Sequence, residues 1–282
     1  GGYYHSKREV GCSYRTVRKM SAGLMAENTF TIGIPVKNGE KFLAEAIESA
    51  LRQKRPADEI LVLDDGSTDR SAEIAASSRW EERVRYCCHS QGRGFAGAFN
   101  AIAEFARCEF VSILCADDLL DDDCLSELDL GLKAFPQAQF VFGGCRYVDR
   151  TGREMPPSHP PGHGGRVLWS GRDYARTLLE GVEADRPLHR CVAFACARDL
   201  WLSGCAFRPE AGIIADTDWF VRLSRQTDVI AIGRYLASIR IHPGSISSTI
   251  DSLWIRLAED YMFQIKEFMV AGRTEDPVLG SC

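Results

Sequence analysis

The chain has 282 residues, 45% of them hydrophobic and 26% charged, with a formal net charge of -5. That length can bury a substantial core as one large domain or two small ones, and the acidic balance argues against nucleic-acid binding, which normally shows a basic face. No apolar run reaches the length of a membrane-spanning helix, so any membrane association is peripheral. The 11 cysteines are odd in number and lack CxxC spacing, which favours buried thiols in a reducing cytoplasm over disulfides or zinc ligands.

Residues 1–28 carry basic side chains without a hydrophobic stretch and read as a disordered or appended leader. Organisation begins at Thr29–Val36, a short apolar strand that runs into the turn Lys37-Asn38-Gly39-Glu40. Over 41–53 the residues Phe42, Leu43, Ala46, Ile47, Ala50 and Leu51 recur at helical spacing. A second strand, Glu59–Leu63, ends in Asp64-Asp65-Gly66-Ser67, and a helix follows over 69–78 with Ser67 or Thr68 as its cap. A third strand at 84–88, a helix at 94–107 and a fourth strand at 110–115 complete a series whose spacing predicts right-handed parallel βαβ units. Beyond Leu119 the pattern predicts helices at 122–134, 171–180, 197–203 and 216–226, strands at 140–149 and 229–241, and a closing amphipathic helix at 251–270. The Pro- and Gly-rich stretch 155–165 is a loop and a candidate lid.

Four places can carry chemistry. Asp117-Asp118 directly follow the buried run Phe110–Cys115, at the carboxyl end of a strand, where an open α/β sheet binds ligands. Paired acids there can hold a divalent cation; the plainer reading is a cap for the helix near Asp122. Asp64-Asp65 occupy the same kind of position, where a carboxylate can accept from a uracil imide N–H or a ribose hydroxyl, or simply make an Asx turn. Asp216 and Asp218 begin an amphipathic helix whose Trp219, Phe220 and Leu223 face the core, and Asp216 can serve as a general base. An acid at a helix N-terminus is favourable in itself. His242 leaves a strand on a turn, where imidazole can meet a cation or phosphate. In addition, Gly92-Arg93-Gly94-Phe95-Ala96-Gly97 is a literal GxGxxG whose backbone can approach a phosphate, with Arg93 supplying charge.

Taken together, Ile34-Pro35-Val36-Lys37-Asn38-Gly39-Glu40, Leu63-Asp64-Asp65-Gly66-Ser67-Thr68-Asp69, Cys115-Ala116-Asp117-Asp118, Asp216-Thr217-Asp218-Trp219 and Arg240-Ile241-His242-Pro243-Gly244-Ser245-Ile246-Ser247 resemble family 2 glycosyltransferases from about Phe30 to Ser248. The resemblance implies an α/β fold of the GT-A type, a mostly parallel central sheet flanked by helices. It implies one domain over 29–250, with a Rossmann-like nucleotide-binding half (29–118) and an acceptor half (119–250), followed by a helix and tail over 251–282. By the same resemblance Pro35, Val36, Asn38, Asp64, Asp65, Arg93 and Asp117 line the nucleotide, with Asp65 reading the base. Asp117 and Asp118 match the DxD region that holds Mg²⁺ or Mn²⁺ on the diphosphate, His242 a late metal or phosphate contact, and Asp216 the catalytic base. The implied reaction moves a sugar from a nucleoside-diphosphate sugar to a hydroxyl of a glycan or glycolipid acceptor, with inversion, in bacterial surface polysaccharide or glycolipid synthesis. Two positions depart from the pattern. Cys115 replaces the first acid of the usual Asp-Ala-Asp-Asp, and Ala215 a Glu that often precedes the base. Two other readings stay open on the residues alone: a non-catalytic sugar-nucleotide or glycan-binding module of the same fold, and a dinucleotide oxidoreductase built on the GxGxxG stretch.

Overall fold

The computed structural model describes residues 27–80, 82–155, 165–181 and 192–245. The predicted leader (apart from its last two residues), the interior of the candidate lid 155–165 and the predicted helix at 251–270 lie outside the described residues.

Strand β1 (Phe30–Val36) is buried at every position except the half-buried Pro35. A strand that is apolar on both faces has to be covered on both, and helices supply the cover. Helix α1 (Leu43–Leu51) buries Leu43, Ala46, Ile47 and Ala50, the stripe that its spacing predicts. Strand β2 (Glu59–Asp64), the short helix α2 (Ser71–Ala75), strand β3 (Val84–Cys88), helix α3 (Gly94–Phe105) and strand β4 (Phe110–Ile113) follow in order. Helix α3 lies so close over β1 that a Cβ on Gly33 would sit 2.1 Å from Ile102 Cγ2, an approach only glycine permits. The order β3-β2-β1-β4 is parallel throughout, as the alternation of strands and helices predicts.

The second half adds β5 (Leu119–Leu120), α4 (Cys124–Ala134), β6 (Phe140–Val148), β7 (Glu154–Met155), β8 (Arg166–Trp169), α5 (Gly171–Gly181), β9 (Phe194–Ala197), α6 (Arg198–Leu202), α7 (Ala215–Ser224) and β10 (Val229–Arg240). One sheet continues across both halves in the order β3-β2-β1-β4-β9-β6-β10-β5. Its long outer ladder, β6 with β10, is again parallel, while β9 runs antiparallel between β4 and β6. The sequence does not announce β9. Phe194-Ala195-Cys196-Ala197 is too short to show a period and runs directly into α6, so only the helix, over 197–203, is expected there.

Two other boundaries move for a physical reason. Helix α2 starts at Ser71 and has no side-chain cap from Ser67 or Thr68, because both bond across to the loop after β1. The strand predicted through Cys115 stops at Ile113; the chain turns there, with Asp118 N–H donating to the Cys115 carbonyl at 3.0 Å. It then lays β5 against β10. Helix α4 begins at Cys124, beyond the reach of Asp117 and Asp118, so the cap reading of that acid pair is overturned.

Candidate active site

The loops after β1, β2 and β4 lie side by side at the carboxyl ends of three adjacent parallel strands. The first two are laced together by polar groups. Asn38 N–H donates to Ser67 Oγ at 2.9 Å, and Asn38 Oδ1 accepts from Thr68 N–H at 2.8 Å. Gly39 N–H donates to Ser71 Oγ, and Glu40 N–H to Asp69 Oδ2, each at 2.9 Å. Asn38 adopts a positive φ of 55°, which Asn tolerates better than most residues. Partial burial acts to raise the Asp69 pKa, but hydrogen bonds from Ser71 and from the N–H of Glu40 outweigh it and hold the carboxyl below its usual value. Gly39 in turn rests against the loop after β4: a Cβ there would lie 3.4 Å from Ala116 Cβ.

Asp64 and Asp65 are both 3% exposed and have different duties. Asp64 closes the Asx turn, taking Ser67 N–H on Oδ1 at 2.7 Å and the Tyr86 hydroxyl on Oδ2 at 3.1 Å. Asp65 reaches the start of α3, accepting from Arg93 N–H at 2.7 Å and Gly94 N–H at 2.9 Å. The glycine-rich stretch therefore wraps an aspartate of its own chain. Glycine is needed at position 92, where a Cβ would fall 2.7 Å from Lys37 Nζ and 3.2 Å from Asp65 Oδ2. The Arg93 guanidinium runs along α3 to Glu104, 4.0 Å away.

After β4 the two acids also separate. Asp118 is 6% exposed and turns inward, where its Oδ1 accepts the Arg240 N–H at 2.9 Å. Burial, reinforced by the charge of Asp117, lifts its pKa well above the usual carboxylate range. The Asp117 side chain is 32% exposed, and its Oδ2 lies 3.1 Å from His242 Nε2. His242 Nδ1 accepts from Gly244 N–H at 3.1 Å, so in the neutral ring the proton sits on Nε2 and is donated to Asp117. The resemblance implies a metal or phosphate contact for His242; in this arrangement its ring lies on the Asp117 carboxylate.

Asp216 lies at the first turn of α7, half-buried, with Oδ1 accepting Thr217 N–H at 2.7 Å. Its helix is anchored by aromatic packing. Trp219 and Phe220 are fully buried, and Trp219 stacks on Phe207 at 4.8 Å and meets Trp201 at 4.6 Å between ring centroids. Asn100 of α3 fixes the approach to that helix: its amide both donates to and accepts from the Phe207 backbone, each at 2.8 Å. Asn100, Phe42 and Arg240 are residues that the sequence reading missed. No motif marks Asn100 or Phe42, and Arg240, although it opens the last of the resembling segments, is assigned no role there.

One thiol registers the convergence of the acids. Burial pushes the Cys115 pKa well up, and the charges of Asp118, Asp117 and Asp216 push it further in the same direction. Asp118 and Asp216, 98 positions apart in the chain, thus push the same thiol in the same direction. Asp117, the most open of the acids after β4, suits Mg²⁺ or Mn²⁺, hard cations that take oxygen ligands. Among the described residues no group of three or more His, Cys, Asp or Glu is arranged to hold a metal ion. The chain's part of such a site is small, and the diphosphate and water would complete it, as is usual for Mg²⁺.

A family model described as "Glycosyl transferase family 2" matches residues 31–193, more than half of the chain. The chain belongs to glycosyltransferase family 2. An uncharacterized glycosyltransferase of Rickettsia felis is 30% identical over 151 residues, covering 53% of this chain and 24% of that protein. A chondroitin synthase of Escherichia coli is 31% identical over 154 residues, covering 52% and 21%. The match thus spans between a fifth and a quarter of the length of these two relatives. S. aureus TarS 1-349 in complex with UDP-GlcNAc superposes with a TM-score of 0.65 at 15% identity, over 87% of this chain and 67% of that one. At that identity the likeness shows the GT-A fold. The family excludes the oxidoreductase reading of the glycine-rich stretch. None of the described cysteines forms a disulfide, and no helix among the described residues is long and apolar enough to cross a membrane.

Proposed function

We propose that this glycosyltransferase moves a sugar, with inversion, from a nucleoside-diphosphate sugar to a hydroxyl of a glycan or glycolipid acceptor, in the cytoplasm and in the service of polysaccharide synthesis. The observation that carries the reading is the meeting of the loops after β1, β2 and β4 at the carboxyl ends of adjacent parallel strands, with the partly open Asp117 carboxylate among them, in a chain whose family model covers residues 31–193. The nucleoside lies over the loops after β1 and β2, the segment 29–118, and the acceptor enters from 119–250. Asp65 and the nearby Lys37 ammonium present an acceptor beside a donor, the complement of an imide N–H and its neighbouring carbonyl on a nucleobase. Pro35, Val36 and Asn38 shape the wall below. Asp117, oriented by His242, holds Mg²⁺ or Mn²⁺, which when bound supplies positive charge against the diphosphate leaving group.

Asp216, carried on a helix locked by its aromatic face, takes the proton of the acceptor hydroxyl as that oxygen attacks the anomeric carbon. A base across the sugar from the leaving group makes the displacement in line, and inversion follows.

Thermal unfolding with a panel of UDP, GDP, dTDP and NAD, in Mn²⁺ and in EDTA, tests the donor class. One nucleoside diphosphate at a hundredfold excess over its Kd is expected to stabilise the protein by about 2.7 kcal/mol in Mn²⁺, with a much smaller shift in EDTA. Stabilisation by NAD, or by no diphosphate, would refute the reading.

A further inference from the structure

The proposed reading assigns Asp117 to the cation and leaves open what holds Asp117 in place. The residue with the most connections to that loop is Arg240, the last residue of β10, which is 3% exposed. Its backbone N–H donates to Asp118 Oδ1 at 2.9 Å and its Nε to the Asp117 carbonyl at 3.0 Å. Nη1 donates to the Arg150 carbonyl at 3.1 Å, in the turn between β6 and β7, and Nη2 to Glu45 Oε2 of α1 at 2.8 Å. The guanidinium carbon stands 4.5 Å from the centroid of the Phe42 ring, and the same ring lies 4.9 Å from that of His242. His242 then closes the circuit on Asp117 Oδ2.

We propose that Arg240 is a positioning residue for the cation site: it fixes the backbone of Asp117 while His242 fixes its side chain, with Phe42 bracing both. The inference rests on the proposed function, because it assumes that Asp117 meets the cation. Three features make a purely structural role insufficient. A charged side chain buried to this degree is costly unless every donor direction is used, and a saturated hydrophobic residue at the end of β10 would fill the volume. The three side-chain bonds go to three different places, two in the segment 29–118 (Glu45 of α1 and the Asp117 carbonyl) and one in the segment 119–250 (the Arg150 carbonyl). Only the planar, forked guanidinium can serve them together while stacking on an aromatic ring; a lysine ammonium cannot.

The test is titration of UDP into Arg240→Lys, in Mn²⁺ and in EDTA, by calorimetry. The expected result is at least a tenfold loss of affinity in Mn²⁺ with affinity in EDTA unchanged, and no further loss when Arg240→Lys is added to Asp117→Ala. A residue that merely supports the fold would weaken both conditions alike, and that result overturns the proposal, as does wild-type binding in Mn²⁺. If Arg240→Lys does not fold, Phe42→Leu removes the shared brace and leaves every hydrogen bond; it is expected to weaken binding about threefold in Mn²⁺ alone, and an unchanged affinity overturns the proposal. Wild-type protein that binds UDP equally in Mn²⁺ and EDTA would instead refute the metal-dependent function, and this inference with it.

Discussion

Asp216→Asn is expected to lower kcat by roughly 10²–10⁴-fold, the range that a positioned general base contributes, while leaving donor affinity within about twofold. Asparagine keeps the shape of the side chain and can still accept the Thr217 N–H through its carbonyl oxygen, so the helix start stays intact. What it loses is the ability to take a proton. Asp216 also lies on the acceptor side, on α7, whereas the diphosphate is assigned to the loop after β4, so the two effects separate. Release of nucleoside diphosphate from its sugar conjugate measures the first, and calorimetry with the nucleotide alone measures the second. Turnover within threefold of wild type would remove Asp216 from the chemistry. A parallel loss of donor affinity would place it on the nucleotide instead.

Trp219→Ala is expected to destabilise the fold by ~3–5 kcal/mol, as truncation of a large buried aromatic does. The Trp219 ring is fully buried and touches Phe140, Phe194, Trp201, Phe207 and Phe220, so no single neighbour can move in to fill the space. Its indole N–H has no hydrogen-bond partner among the described residues. Trp219→Phe should accordingly cost much less, because only volume is lost and no bond is broken. Urea unfolding of both variants checks the pair: equal losses would mean that the indole N–H is bonded after all. Trp219 belongs to the same helix turn as Asp216, so the alanine variant should also lower turnover at temperatures where it remains folded.

The first half of the chain announces itself because three of its four parallel strands, β1, β2 and β4, are almost wholly buried and its longer helices, α1 and α3, keep a clean 3.6-residue period. The acids after β2 and β4 stand out for a related reason: they interrupt apolar strand ends, where charge is conspicuous. What the sequence conceals is the division of labour within each pair. Asp64 and Asp118 face inward to a Tyr86 hydroxyl and an Arg240 N–H, and partners 22 and 122 positions away leave no local trace. The GxGxxG stretch is misleading for the same reason. Its backbone N–H groups do meet a carboxylate, but one supplied by Asp65 of the same chain. Strand β9 is hidden because four buried residues are too few to establish a period, and Asn100 because a side-chain amide that clasps backbone 107 positions away follows no spacing rule.

In the proposed mechanism Asp117 is the point where the chain meets the cation that holds a diphosphate. Calorimetric titration of the nucleoside diphosphate that the thermal panel selects into wild-type protein and Asp117→Ala, each in Mn²⁺ and in EDTA, asks this directly. The expected outcome is tight binding only for wild type in Mn²⁺, with the other three combinations weaker by at least tenfold and similar to one another. Asp117→Ala that binds this nucleotide in Mn²⁺ as tightly as wild type would contradict the account.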